Sequence, residues 1–341
     1  GAAVAAIAAT ARARRACRGD GDRAHTLTGA TMDPPSLASV RVLRPHDQPI
    51  YSIAAAPDGR LVIGSDEGVV LVLSLATGAV EAKLVGHTSI IYGLCPLTDG
   101  TNRLLSGGRG GCVVCLHDLD ETHGGAVVPP VREFGGHTEP VRAAIELSGG
   151  RLASASYDRA IRIWAMESGA CLATLRGHTD WVLALAVADG DTLVSGGDDK
   201  TLQVWDTRTY AAIATIATPS PVYVLLRLTD GTIASGHGDG VVRLWDWHRR
   251  EAVGKLRGHT NSVRGLAKLL DGRLASASLD KTVRLWDVAA RACVGVVTAP
   301  STPQCCCVMA AGELAVGCDD GSVLVLGFAW ARRHHAAALW C

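Results

Sequence analysis

The sequence has no excess charge of either sign, no long apolar run and few aromatic residues. Lys plus Arg equals Asp plus Glu, at 33 each in 341 residues. Nucleic-acid binders carry a basic excess or stripe that neutralises phosphates, and the repeats described below show neither, so no nucleic-acid partner is expected. No apolar run approaches the roughly 18 residues that a membrane span needs, and no membrane partner is expected either. P-loop, dinucleotide and zinc signatures are missing, which leaves no expected cofactor and no metal. The Cys are odd in number, eleven, and irregularly spaced, unlike a disulfide framework. Their places inside strand-like patterns read as reduced, buried thiols, suited to the cytoplasm or nucleus. Cys112 and Cys115 form a CxxC with no second pair after it, and alternation along a strand would point the two to opposite faces.

Gly1 to Thr31 are rich in Ala and Arg and show neither a strand period nor helix caps. The stretch is acid-poor like a transit peptide but contains no Ser. Residues 1–35 read as a disordered or wrongly translated leader, with Met32-Asp33-Pro34-Pro35 as a start point inside it. Residues 329–341 read as a frayed tail whose His334-His335 is a remaining pair of metal-ligand type. Between them, 36–328 reads as one folded unit.

What the chain does have is an internal repeat. Gly-His pairs begin at Gly86, Gly136, Gly177 and Gly258, and Trp164, Trp205, Trp245 and Trp286 follow one another at 41, 40 and 41 residues. Each unit runs from Gly-His through a short apolar strand, a turn, a second strand, a tight turn with Asp, and a third strand ending in Trp-Asp. Asp-Gly pairs at Asp58, Asp99, Asp189, Asp230 and Asp271 stand between the first two strands, a strong hairpin signal. A period near 41 with four short strands per unit resembles the WD-repeat family over about residues 39–328.

That resemblance implies an all-β fold: a seven-bladed β-propeller of four-stranded antiparallel blades. Units three, four and six carry every marker. Unit five has Thr218 at the His position, and unit two lacks both the Asp and the Trp. Units one and seven are the most degenerate, with Leu73 and Leu326 at the Trp position. Unit seven ends after its third strand, and an unassigned strand, Ser39-Val40-Arg41-Val42-Leu43, precedes unit one. This first strand is expected to close the ring as the outer strand of the last blade, antiparallel beside 322–327.

Three sets of residues look catalytic: His137, Ser154, Asp158 and Trp164; His178, Ser195, Asp199 and Trp205; His259, Ser276, Asp280 and Trp286. A catalytic site needs one exposed nucleophile with an oxyanion hole, whereas triplication at the repeat period marks structure. No catalytic residue and no enzyme activity is expected. In the family the four residues form a buried chain, Asp accepting from His, His from Ser, and Ser from the Trp indole. Unit five, without the His, should have a weaker chain.

The family resemblance also places three positions per unit on the upper face of the ring. Five residues after the His position come Tyr51, Tyr92, Arg142, Tyr223 and Arg264; three after it, Trp181. One before the Asp position come Asp66, Arg109, Tyr157, Asp198 and Asp319. Four of the five Tyr fall in these 21 positions of 341, and Tyr, Trp and Arg dominate interface hot spots. The reading is a monomeric scaffold within a larger complex, docking protein or peptide segments of mixed polarity there. Trp205-Asp206-Thr207-Arg208 also resembles the WD-x-Arg box of substrate receptors of cullin ubiquitin ligases, in which the Arg meets the adaptor. A weaker likeness ties Cys305-Cys306-Cys307-Val308, with Gly312, Gly317 and Asp320, to the last blade of the ubiquitin-binding propeller of phospholipase-A2-activating proteins.

Overall fold

A computed structural model describes residues 37–122 and 124–328. The leader and tail readings, and His334-His335, lie outside the described residues. Strands and tight turns account for the described chain, arranged as seven sheets around a central channel. Blade three is representative: Val141–Leu147, Arg151–Ser156, Ala160–Ala165 and Cys171–Arg176, each antiparallel to the next.

The turns explain why each blade folds locally. At Asp271-Gly272 the Asp carboxylate accepts a hydrogen bond from the Arg273 amide at 3.1 Å, and Gly272 takes φ +86°, a region closed to most side chains. The same carboxylate-to-amide bond recurs at Asp58, Asp99 and Asp230, at 2.9 to 3.0 Å. Asp189-Gly190 departs from this pattern. Strand Val182–Asp189 runs on until Asp189 pairs with Thr192, so Gly190 and Asp191 form a two-residue hairpin one position later. Blade four therefore has a longer inner strand than the repeat alone indicates.

No blade buries both faces by itself. The core is divided into seven apolar clusters, each at one seam between neighbouring blades. At the seam of blades six and seven, for example, Val283 and Leu285 pack with Val316 and Leu326.

Closure follows the expected route. Leu37–Leu43 pairs antiparallel with Val323–Phe328, in the register Val40↔Leu326 and Leu43↔Val323. Arg41 secures the seal: its guanidinium pairs with Glu313 at 3.0 Å and donates to the Leu75 carbonyl of blade one at 3.0 Å.

Blade one departs from four strands. Ala126–Val128, from the segment between the third and fourth strands of blade two, lies parallel along Val80–Leu84 as a fifth strand. The extra residues of unit two reach back and cover a neighbouring sheet edge that would otherwise leave its amides unpaired. Arg60 of blade one anchors the excursion by donating to the Leu119 carbonyl at 2.7 Å and the Thr122 hydroxyl at 2.6 Å.

Candidate functional site

The His-bearing loops and the Asp-bearing turns share one face of the ring, because alternate strand ends in an antiparallel blade point the same way. This is the upper face. The Asp-Gly turns and the turns after the third strands, including Arg208, lie on the opposite face.

Within blades three, four and six the four marker residues touch in sequence. Trp164 Nε1–H donates to Ser154 Oγ at 2.8 Å, Ser154 meets His137 Nε2 at 2.7 Å, and His137 Nδ1 meets Asp158 at 2.7 Å. The sets at Trp205, Ser195, His178, Asp199 and at Trp286, Ser276, His259, Asp280 repeat this with distances of 2.7 to 2.9 Å. Indole only donates and carboxylate only accepts, so the proton of the neutral imidazole sits on Nδ1. Burial pushes the Asp158 carboxyl up, but hydrogen bonds from His137 and from the Ala160 and Thr138 amides prevail and hold it at about 2. Ser154, Ser195 and Ser276 are fully buried beneath the turns, which leaves each hydroxyl out of reach of a substrate.

Two blades rebuild this chain from other residues. In blade five His237, two residues after Ser235 on the same strand, brings Nε2 to Ser235 Oγ at 2.7 Å while Trp245 donates to the same oxygen at 2.6 Å. His237 Nδ1 meets the Ser220 carbonyl at 3.1 Å instead of an Asp. Unit five lacks the loop His, as expected, but an imidazole is present all the same, delivered from the second strand and capped by a neutral carbonyl rather than a carboxylate. In blade two His117 stands at the Trp position, so that Ser106 lies between His87 and His117 at 2.9 Å from each. Blades one and seven replace the inner half of the chain, with Ile63 and Leu73, and Val316 and Leu326, in the Ser and Trp places, all fully buried, while blade one keeps an outer pair of His46 and Glu67 at 3.3 Å.

The channel mouth gathers the other predicted residues. Tyr51, Tyr92, Arg142, Leu183, Tyr223, Arg264 and Gln304, one from each blade, line a single cavity of about 230 Å³. Their rings continue outward as an arc. Tyr51 meets Tyr92 edge-on at 6.0 Å, Tyr92 meets Tyr157 at 5.9 Å, and Tyr157 stacks on Trp181 at 4.3 Å with planes 7° apart. Trp181, at the end of the arc, is 45% exposed, although apolar rings of that size are normally covered.

Charge is arranged around this arc. Burial, and then Asp319 and Asp66, raise the Tyr51 phenol, which places two carboxylates beside that end. Burial, and then Asp180, raise the Asp198 carboxyl near the Trp181 end. Gln304 donates to Asp319 at 2.7 Å. Arg142 lies over the Tyr92 ring at 5.4 Å and Arg264 over Tyr223 at 3.8 Å. Arg109 is exposed and does not line the cavity.

The remaining predicted positions stand apart from this cluster. Arg208 is exposed in its turn, where Asp206 accepts from the Arg208 and Thr209 amides at 2.8 and 2.9 Å. Cys305, Cys306 and Cys307 form the inner strand of blade seven, and the first two line the channel. The described cysteines are free thiols, but not all are buried: Cys171 is exposed, and Cys112 sits in a turn at φ 53°, outside the strand that carries buried Cys115. No group of three metal-ligating side chains occurs among the described residues. No helix there is long and apolar enough to cross a membrane.

The profile described as "WD domain, G-beta repeat" matches residues 37–72, 128–165, 169–206 and 250–287. Nuclear distribution protein PAC1 of Fusarium vanettenii is 28% identical over 165 residues, 44% of this chain and 36% of that protein. WD repeat-containing protein SL1-17 of Schistosoma mansoni is 31% identical over 121 residues, 35% of this chain and 37% of that protein. The chain thus spans little more than a third of the length of these curated relatives. The WD40 β-propeller domain of Doa1 superposes with a TM-score of 0.75 at 23% identity, covering 86% of this chain and 97% of that domain, a likeness of fold. With matched repeats, Trp–Ser–His–Asp chains at the repeat period and a ring sealed by its first strand, the chain belongs to the WD-repeat family of β-propellers.

Proposed function

We propose that this propeller is a non-catalytic scaffold whose upper face docks a partner polypeptide segment along the arc from Tyr51 to Trp181. A WD-repeat propeller fits a protein-interaction scaffold, and such scaffolds act through their surfaces. The observation that carries the reading is the run of ring contacts across consecutive blades that ends on exposed Trp181. Rigid aromatic side chains supply large contact area at low entropic cost, and carboxylates at both ends supply a polar rim. The free thiols suit a reducing compartment, cytoplasm or nucleus. Affinity capture with mass spectrometry, comparing the wild type with a Tyr157→Ala, Trp181→Ala double variant, tests it. The variant should lose its specific partners; identical recoveries from both baits would refute the docking face.

A second reading rests on Arg208. Its turn is held by Asp206 while its side chain stands free on the opposite face, as a contact to a ligase adaptor requires. Capture of the adaptor by the wild type and not by Arg208→Ala supports this role, and equal or absent capture by both removes it.

A further inference from the structure

Arg142 and Arg264 line the same small cavity, and neither has a carboxylate within ion-pair distance among the described residues. Other arginines of this ring are matched, Arg41 with Glu313, Arg60 with Asp58 and Arg243 with Asp239. Arg142 spends one donor on the Tyr92 carbonyl at 3.0 Å. Arg264 makes no hydrogen bond among the described residues; its Nε is buried without an acceptor, and its plane rests on Tyr223. A guanidinium has five N–H donors, so most of the donor capacity at the channel mouth is unspent. Holding two like charges together in a partly desolvated place is costly unless an anion joins them. Burial, and then the charge of neighbouring Arg264 among other groups, draw the Arg142 pKa below its usual value, in keeping with that shortage of counter-charge.

We infer that the channel mouth is an oxyanion site, in which Arg142 and Arg264 together hold one anionic group of the docked segment. The inference rests on the upper-face reading and gives that segment its anchoring chemistry. A cavity of about 230 Å³ is below the usual range for a drug-sized ligand, roughly 300–1,000 Å³, and suits one side-chain carboxylate or one phosphoryl group. Tyr223 supports the Arg264 guanidinium at 3.8 Å, and the Tyr92 carbonyl and ring hold that of Arg142, so little side-chain freedom is lost when the anion arrives. Asp66, Asp198 and Asp319 surround the mouth, which disfavours a broadly acidic chain and favours a single anion placed at the centre.

The test titrates the folded protein with sodium phosphate and, separately, with sodium acetate at matched ionic strength, reading Tm and Tyr/Trp fluorescence. Saturable stabilisation is expected with one of the two salts, and which one distinguishes a phosphoryl from a carboxylate anchor. Arg264→Gln should weaken that binding about tenfold or more, as loss of a charge-assisted hydrogen-bonding group does. Far-UV circular dichroism of Arg264→Gln without added anion should match that of the wild type, which shows that the variant is folded, and binding is read as the Tm shift against each protein's own anion-free value. Arg109→Gln, on the same face but outside the cavity, should bind as the wild type does. Saturation by neither salt, or equal binding by wild type and Arg264→Gln, overturns the site. Since the Tyr157→Ala, Trp181→Ala variant keeps both arginines, failure of the docking face and failure of the anion site appear in different experiments.

Discussion

Ser195 shows what one hydroxyl does in this ring. It accepts from Trp205 and meets His178, so its removal strands a buried donor on one side and a buried acceptor on the other. Ser195→Ala should cost about 1–3 kcal/mol, checked by the urea midpoint. His237→Ala should cost a similar amount, although His237 is not at the family's His position, because it completes the same arrangement around Ser235. A near-neutral His237→Ala would mean that the Trp245–Ser235 bond is sufficient alone. Blades one and seven show the other solution, since replacing both buried partners with aliphatic groups leaves nothing unpaired.

At the scale of strands and turns, the excursion of blade two acts as a clasp on blade one. Arg60→Gln removes charge-assisted bonds to Leu119 and Thr122 and should cost about 1–3 kcal/mol. Faster hydrogen exchange should then appear at Gly125 and Val85, whose amides bond Glu81 and Val128 across the parallel pairing. Unchanged exchange at those two amides would show that the fifth strand holds without Arg60. How much of this was legible in the sequence differs by element. The closing strand at Ser39 to Leu43 could be read because alternating residues lay outside any unit and unit seven lacked a strand. The fifth strand could not, since Ala126 to Val128 is three residues long and its partner is far away in the chain. His237 was readable in principle: at i+2 from Ser235 it shares one strand face with it. It lies away from the loop position where the other units carry their His, and the Asp189-Gly190 pair points to a blade-four turn one residue too early. The arc residues were legible as a set, but their ring contacts depend on how consecutive blades are rotated, which no single repeat encodes.

For the whole molecule, acidity acts through buried imidazoles. Burial, and then His87, lower the His117 pKa to about 3, and burial, and then Arg243, lower that of His237 to about 4. His87 and His259 shift the same way, also through burial first. In the unfolded chain these groups titrate near 6.5, so below that pH the unfolded state binds more protons than the fold. The stability that these neutral imidazoles contribute is therefore complete above about pH 6.5 and declines as the pH falls toward 3, and urea midpoints measured across that window should drop steadily. His237→Gln should lessen the slope; an unchanged midpoint over the window would contradict the assignment. Ring closure sets the other global limit. Deleting residues 37–43 exposes the Val323–Phe328 edge and opens the seam between blades seven and one, so the truncated protein should lose several kcal/mol and cooperative melting.

The seal also imposes a timetable on the ribosome. Arg41 and Glu313, which meet across the closing blade, are 272 residues apart. At translation speeds of about 5–20 residues per second, the first strand waits roughly 15–55 s for its mate to be made. Throughout that interval a β-edge hangs outside the exit tunnel with no partner, and the nascent polypeptide is most vulnerable to aggregation and most in need of a chaperone.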